Sequence, residues 1–113
     1  MLIGDTVTLA AGAFNQNVVA GKYIEFVPRD GIVQFGLTSD SAAAIGDLRV
    51  DVLSGTDIIA QQVIPRPSAS TPVYPDDFHL SDAVAAGDRI IISVRNGGGV
   101  SHTLYWSIMY DKG

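Results

Sequence analysis

The 113 residues carry twelve acidic against seven basic side chains, a net charge of −5, and no cysteine. That balance argues against nucleic-acid binding, which needs a basic footprint to displace counterions from phosphate, and it disfavours an anionic membrane surface for the same reason. The missing cysteines exclude disulfides and thiol chemistry. Together with the plain start Met1–Asp5, which lacks a basic region or an apolar stretch of signal-peptide length, they predict synthesis inside a cell. No run reaches the roughly 20 apolar residues of a membrane-spanning helix.

Twelve Val and eleven Ile stand against one Glu and two Lys, so the usual fillers of exposed helix faces are nearly absent. The reading is one all-β domain over residues 1–113. In chain order, Thr6–Ala10 and Phe14–Val19 read as strands, followed after Ala20-Gly21 by Lys22–Pro28. There, alternation sets Tyr23, Glu25 and Val27 on one face and Ile24 and Phe26 on the other. Asp30-Gly31 is a tight-turn pair before a fourth strand, Ile32–Thr38. Ser39–Gly46, with a capping Asp or Ser and three alanines, suits one short helical turn. Leu48–Leu53 alternates cleanly, Ser54–Asp57 turns, and Ile58–Ile64 returns as the hairpin partner.

Pro65–Ser81 holds four prolines within eleven residues. Proline cannot donate to a ladder, so this is a long surface loop or arm rather than a central strand, and loops of that length often carry function. Ser81 or Asp82 would cap a helical turn through Ala86. The chain ends in two apolar runs, Arg89–Arg95 and His102–Tyr110, on either side of Asn96–Gly99, which reads as a long hairpin. In its second limb Leu104, Trp106, Ile108 and Tyr110 share one face, and Thr103, Tyr105, Ser107 and Met109 the other. The predicted core is Ile24, Phe26, Val50, Val52, Ile91, Leu104, Trp106 and Ile108. Eight antiparallel strands with one long crossover suit a single β-sandwich of jelly-roll type, with a seven-stranded immunoglobulin-like sandwich as the competitor.

Candidate chemistry is sparse. Asp76, Asp77, His79 and Asp82 are close enough in sequence to suggest hard-metal ligands, but they match no regular Asp-x-Asp-x-Asp-Gly loop. The plainer reading is a turn end and a cap, and no metal or cofactor is assigned. His79 and His102 are the two histidines, and neither sits in a motif that positions a nucleophile. Gly97–Gly99 joins strand to strand, with no helix to receive a phosphate, so no enzymatic activity is expected. Trp106, Tyr105, Tyr110, Tyr74 and Tyr23 would make a sugar-stacking platform if exposed. The alternation instead places Trp106 in the core, with Tyr105 and Tyr74 partly exposed. An apolar share of 47% against 17% charged exceeds what one small core hides and predicts a homo-oligomer.

The segment Val73–Arg95 with Asn96 and Gly97 resembles small bacteriophage virion proteins, above all jelly-roll decoration (cement) proteins of icosahedral heads. The likeness is carried by Val-Tyr-Pro-Asp-Asp-Phe, by Ala-Ala-Gly-Asp-Arg before a strand and by Arg-Asn-Gly after it. A weaker match runs over Tyr23–Leu37, where an extended segment enters a Gly-centred turn. The resemblance implies a structural protein, made in the host cytoplasm and placed on the capsid exterior. Its partners would be itself, as a trimer, and the major capsid protein. Shell-forming single-jelly-roll proteins are longer and often carry a basic arm toward the genome; the uncharged Met1–Gly4 and Asp5 offer none. The expected contact residues are Pro67, Val73, Tyr74, Pro75, Phe78 and Tyr105, on an arm over Pro65–Phe78 that either docks on a neighbour or folds back on its own sandwich. The alternatives kept open are a carbohydrate-binding or adhesin-like sandwich and a minor capsid shell protein.

Overall fold

The computed structural model describes residues 2–40, 47–67, 70–74 and 76–112. Among these residues nine strands form two sheets. In chain order they are β1 (Leu2–Leu9), β2 (Phe14–Asn15), β3 (Gly31–Ser39), β4 (Leu48–Ser54), β5 (Asp57–Val63), β6 (Arg66–Pro67), β7 (Phe78–Val84), β8 (Ile90–Asn96) and β9 (His102–Lys112). One sheet runs β1-β9-β3, with β7 and the two-residue β6 sharing the far side of β3; the other runs β2-β8-β4-β5. Every pairing is antiparallel except β3 with β6.

With β6 set aside, the pairs β1·β9, β2·β8, β3·β7 and β4·β5 nest inside one another. The chain is thus one long antiparallel ribbon, folded at the β4–β5 turn and rolled into a sandwich, which is the jelly roll. Its tip is the sharp reversal at Gly55, whose φ of 58° lies in the left-handed region that glycine enters without a Cβ penalty.

This arrangement corrects the terminal hairpin. β8 and β9 lie in opposite sheets, so Asn96–Gly99 carries the chain across the sandwich rather than reversing it within one sheet. A second correction concerns Ser81 and Asp82, which belong to β7 and cap no helix; β7 pairs with β3 from Gly31↔Val84 to Gly36↔Phe78. The expected strand at Lys22–Pro28 is instead a 3₁₀ turn at Tyr23–Glu25, closed by Lys22 N–H to Val19 O and Glu25 N–H to Lys22 O. A repeat near three puts Ile24 and Val27 inward together and leaves Phe26 57% exposed, where alternation had it buried. The expected strand Phe14–Val19 stops at Asn15 because the Asn17 side chain takes over the ladder. Its Oδ1 accepts from Ile92 N–H and Val19 N–H, and its Nδ2 donates to Ile90 O. The helical turn expected at Ser39–Gly46 lies outside the described residues apart from Ser39, which ends β3, and Asp40.

The core fills the space between the sheets. Val33, Phe35 and Leu37 of β3, with Leu104, Trp106, Ile108 and Tyr110 of β9, face Leu48, Val50 and Val52 of β4 and Ile90, Ile92 and Val94 of β8. Of the predicted core, Ile24, Val50, Val52, Leu104, Trp106 and Ile108 are buried; Ile91 is only half-buried, on the outer face. In a run of three isoleucines the sequence carries no phase. The register Val50↔Val94 and Val52↔Ile92 sets it, turning Ile90 and Ile92 inward.

Two expectations follow. Trp106, 1% exposed, should cost about 3–5 kcal/mol on truncation to Ala, read by urea unfolding; a loss below about 1 kcal/mol would show a site that collapses around the deletion. The carboxylate of Glu25 accepts from Gly21 N–H and pairs with Arg89, and these contacts hold its pKa below the usual value of 4.5. The backbone bond is the larger cause. A depressed folded-state pKa stabilises above the ordinary carboxylate range and loses that effect as pH falls through it. The stability gap between the wild type and Glu25→Gln should therefore be constant near neutrality and close on acidification.

Candidate interaction surfaces

The Pro-rich segment leans on its own sheet. Phe78, 8% exposed, lies over Gly36 on the outer face of β3; a Cβ at Gly36 would sit 2.8 Å from both the Phe78 ring and Pro72. The absent side chain is what lets the loop seat there. Tyr74 stands edge-on to Phe78, ring centroids 5.1 Å apart at 80°. Thr38 Oγ1 donates to Ser70 O. Asp77, buried, accepts from Val73 N–H at 2.8 Å and pairs with Arg66 at 3.0 Å. The fold-back arm is therefore the observed one, and Phe78 is not an exposed anchor.

Of the other expected contact residues, Val73 (57% exposed) and Tyr74 (43%) remain open, Pro67 is exposed in β6, and Pro75 lies outside the described residues. Tyr105 is half-buried on β9, in register with Thr38. The fold thus gathers Tyr74, Phe78 and Tyr105 on one outer face, with Pro67 at its margin.

Asp76, Asp77, His79 and Asp82 do not converge: the Asp77 carboxylate is committed to Arg66, and Asp82 sits in phase with Leu80 and Val84, facing between the sheets. Among the described residues no group of three or more His or carboxylate side chains has a metal-holding arrangement.

Sequence reasoning missed the tightest polar cluster. His102, whose side chain is 0% exposed, places Nδ1 3.2 Å from Asp40 Oδ1 and Nε2 2.9 Å from Asp47 Oδ2. Asp40 Oδ2 also accepts Thr103 N–H, and Asp47 O accepts Gly97 N–H. Asp47 and Asp40 lie 55 and 62 positions from His102, so no local motif announces the cluster. Both ring nitrogens are engaged, and both contacts are hydrogen bonds when the ring donates from each. The cluster ties both ends of the β3–β4 connection to the start of β9.

A groove of about 880 Å³ opens along the sandwich edge where β1 and β2 run, lined by Val7, Leu9, Phe14, Asn15, Asn17 and Ile91 among others. Beside it, Arg95 lies 5.2 Å over the Phe14 ring.

The sheet edges themselves are blunted. On β1, Asp5 Oδ1 accepts the Thr6 N–H while Oδ2 holds Lys22 Nζ at 2.6 Å. On β5, two register shifts and Gln62 at φ 55° break the ladder. β2 has two residues, and β7 pairs through a bulge. Such devices suppress strand-to-strand association. No described helix is long and apolar enough to cross a membrane. Neither the family models nor the curated proteins compared with the chain match it.

Replacing His102 with Phe keeps a flat ring, somewhat larger, but removes both carboxylate contacts; a loss of about 2–3 kcal/mol is expected in urea unfolding. An unchanged midpoint would mean the aspartates are as well solvated without the ring.

Proposed function

We propose that this chain is a structural coat component, a decoration or cement protein that binds the exterior of an icosahedral phage capsid as a homo-oligomer and contacts the major capsid protein. The observation that carries the proposal is a jelly roll whose strand edges are all blunted, yet which displays large apolar side chains: Leu2, Phe14, Tyr23, Ile32, Ile58 and Val73. A chain that suppresses edge pairing while exposing apolar side chains is suited to defined side-chain contacts with copies or a lattice. The virion resemblance of Val73–Arg95 supplies the context, and the acidic balance suits an outer surface rather than one facing the genome. No catalytic role is assigned.

A second reading, a carbohydrate-binding sandwich, rests on the groove beside Phe14 with its Asn15, Gln16 and Asn17 amides. Trp106, its strongest sequence motive, is in the core.

Incubation of the folded protein with purified icosahedral phage capsids, beside a glycan array, decides between the two. The expected result is saturable binding at a fixed number of copies per shell, with the shells then resisting heat or chelation better. No association by folded protein, with micromolar binding on a glycan array, would replace the proposal by the second reading.

A further inference from the structure

Of the chain's three asparagines, Asn96 alone precedes a glycine. In such a pair the carboxamide is most open to attack from its own main chain, because no side chain on the following residue shields the backbone nitrogen. The Gly97 nitrogen attacks Asn96 Cγ, the Cγ–Nδ2 bond breaks, and Nδ2 leaves as ammonia with the proton from Gly97. Water then opens the five-membered succinimide at either carbonyl. The product is aspartate or, with the main chain rerouted through Cβ and Cγ, isoaspartate.

The fold blocks the first step twice. The Asn96 carboxamide is fully buried; Nδ2 donates to the carbonyl oxygens of Leu9, Ala10 and Val100, and Oδ1 accepts Gly98 N–H. Turning Cγ toward the Gly97 nitrogen breaks these bonds, and burial keeps water from replacing them. The nitrogen is itself held, since Gly97 N–H donates to Asp47 O at 2.7 Å. Both products are wrong for the site. Aspartate sets an anionic oxygen, with no donor, against three carbonyl oxygens, which is costly away from water. Isoaspartate lengthens the main chain by one carbon at the crossing, between Asn96 N–H on Ala13 O and Gly97 N–H on Asp47 O.

We propose that Asn96–Gly97 is a deamidation site held dormant by the fold: the native chain keeps its carboxamide, whereas a chain that unfolds is converted and cannot rebuild the passage between the sheets. The working stability of the protein is then a rate, because chemical change of the unfolded chain draws molecules out of the folding equilibrium. The inference stands apart from any capsid or glycan role.

The full chain, held in mildly alkaline buffer either native or unfolded in guanidinium chloride, tests it. The readouts are peptide mass mapping of Asn96 and recovery of the native melting transition on dilution. Mass separates amide loss at Asn96 from isomerisation at Asp30-Gly31, which leaves mass unchanged. Conversion in the native protein should be more than about a hundredfold slower than in the unfolded chain, because an ordinary domain is open far less than a hundredth of the time. The recoverable fraction of unfolded chains should fall in step with conversion. Gly97→Ala is the control. A Cβ there meets only Asp47 O, at 3.8 Å, and the φ lies outside the left-handed region, so the variant folds while its methyl shields the nitrogen. Its recoverable fraction should persist. Equal conversion in native and unfolded protein would overturn the shielding, and converted chains that regain the native transition would overturn the misfit of the products. Recovery lost as fast by Gly97→Ala as by the wild type would show that deamidation is not what removes the chain.

Discussion

The Asn96 carboxamide holds the point where the chain passes from one sheet to the other. It is fully buried, and its Nδ2 reaches the carbonyl oxygens of Leu9, Ala10 and Val100 at 3.0, 3.3 and 2.9 Å. Its Oδ1 accepts Gly98 N–H, and its backbone N–H bonds Ala13 O. One side chain thereby joins the end of β8, the β1–β2 turn and the β8–β9 connection. Buried carbonyls at such a crossing need donors, and a carboxamide supplies two from one position. The glycines that follow give room: a Cβ at Gly98 would meet the Asp47 carboxylate at 2.6 Å. Asp47 is thus free to reach His102, and the end of the sandwich closes through Asn96, Asp47, His102 and Asp40 in sequence.

The surface follows from the rolled ribbon. Rolling leaves four open edges, and each is disabled by a different device: an aspartate bonded to lysine and backbone on β1, brevity on β2, bulges and a positive φ on β5, an inward carboxylate and a bulge on β7. Any contact with a further chain is then left to side chains on the faces and margins. The Pro-rich segment, the natural sequence candidate for an arm, spends its best anchor on Gly36 and, among its described residues, keeps the large apolar side chains of Val73 and Tyr74 outward. The charge distribution matters more than the net charge. Lys22, Arg66 and Arg89 are each bound to a carboxylate of their own chain, whereas Arg95 rests on an aromatic ring.

By itself, the sequence determined the all-β class, the β4–β5 hairpin around Gly55 and the burial of Trp106 between Leu104 and Ile108. Each is written in a local pattern: β-branched richness, a short turn, a period of two. It also marked Tyr74 and Tyr105 as partly open. Tertiary structure alone decided whether Asn96–Gly99 reverses or crosses, because the same glycines permit both and only the partners of β8 and β9, β4 and β3, choose between them. It decided the phase of Ile90–Ile92 through pairing with Val50 and Val52. It turned Phe26 outward by trading a strand for a 3₁₀ turn, seated Phe78 on Gly36, and brought Asp40 and Asp47 to His102. These outcomes rest on contacts between residues far apart in the chain, whose energies enter only when the ribbon rolls, and no window of neighbouring residues contains them.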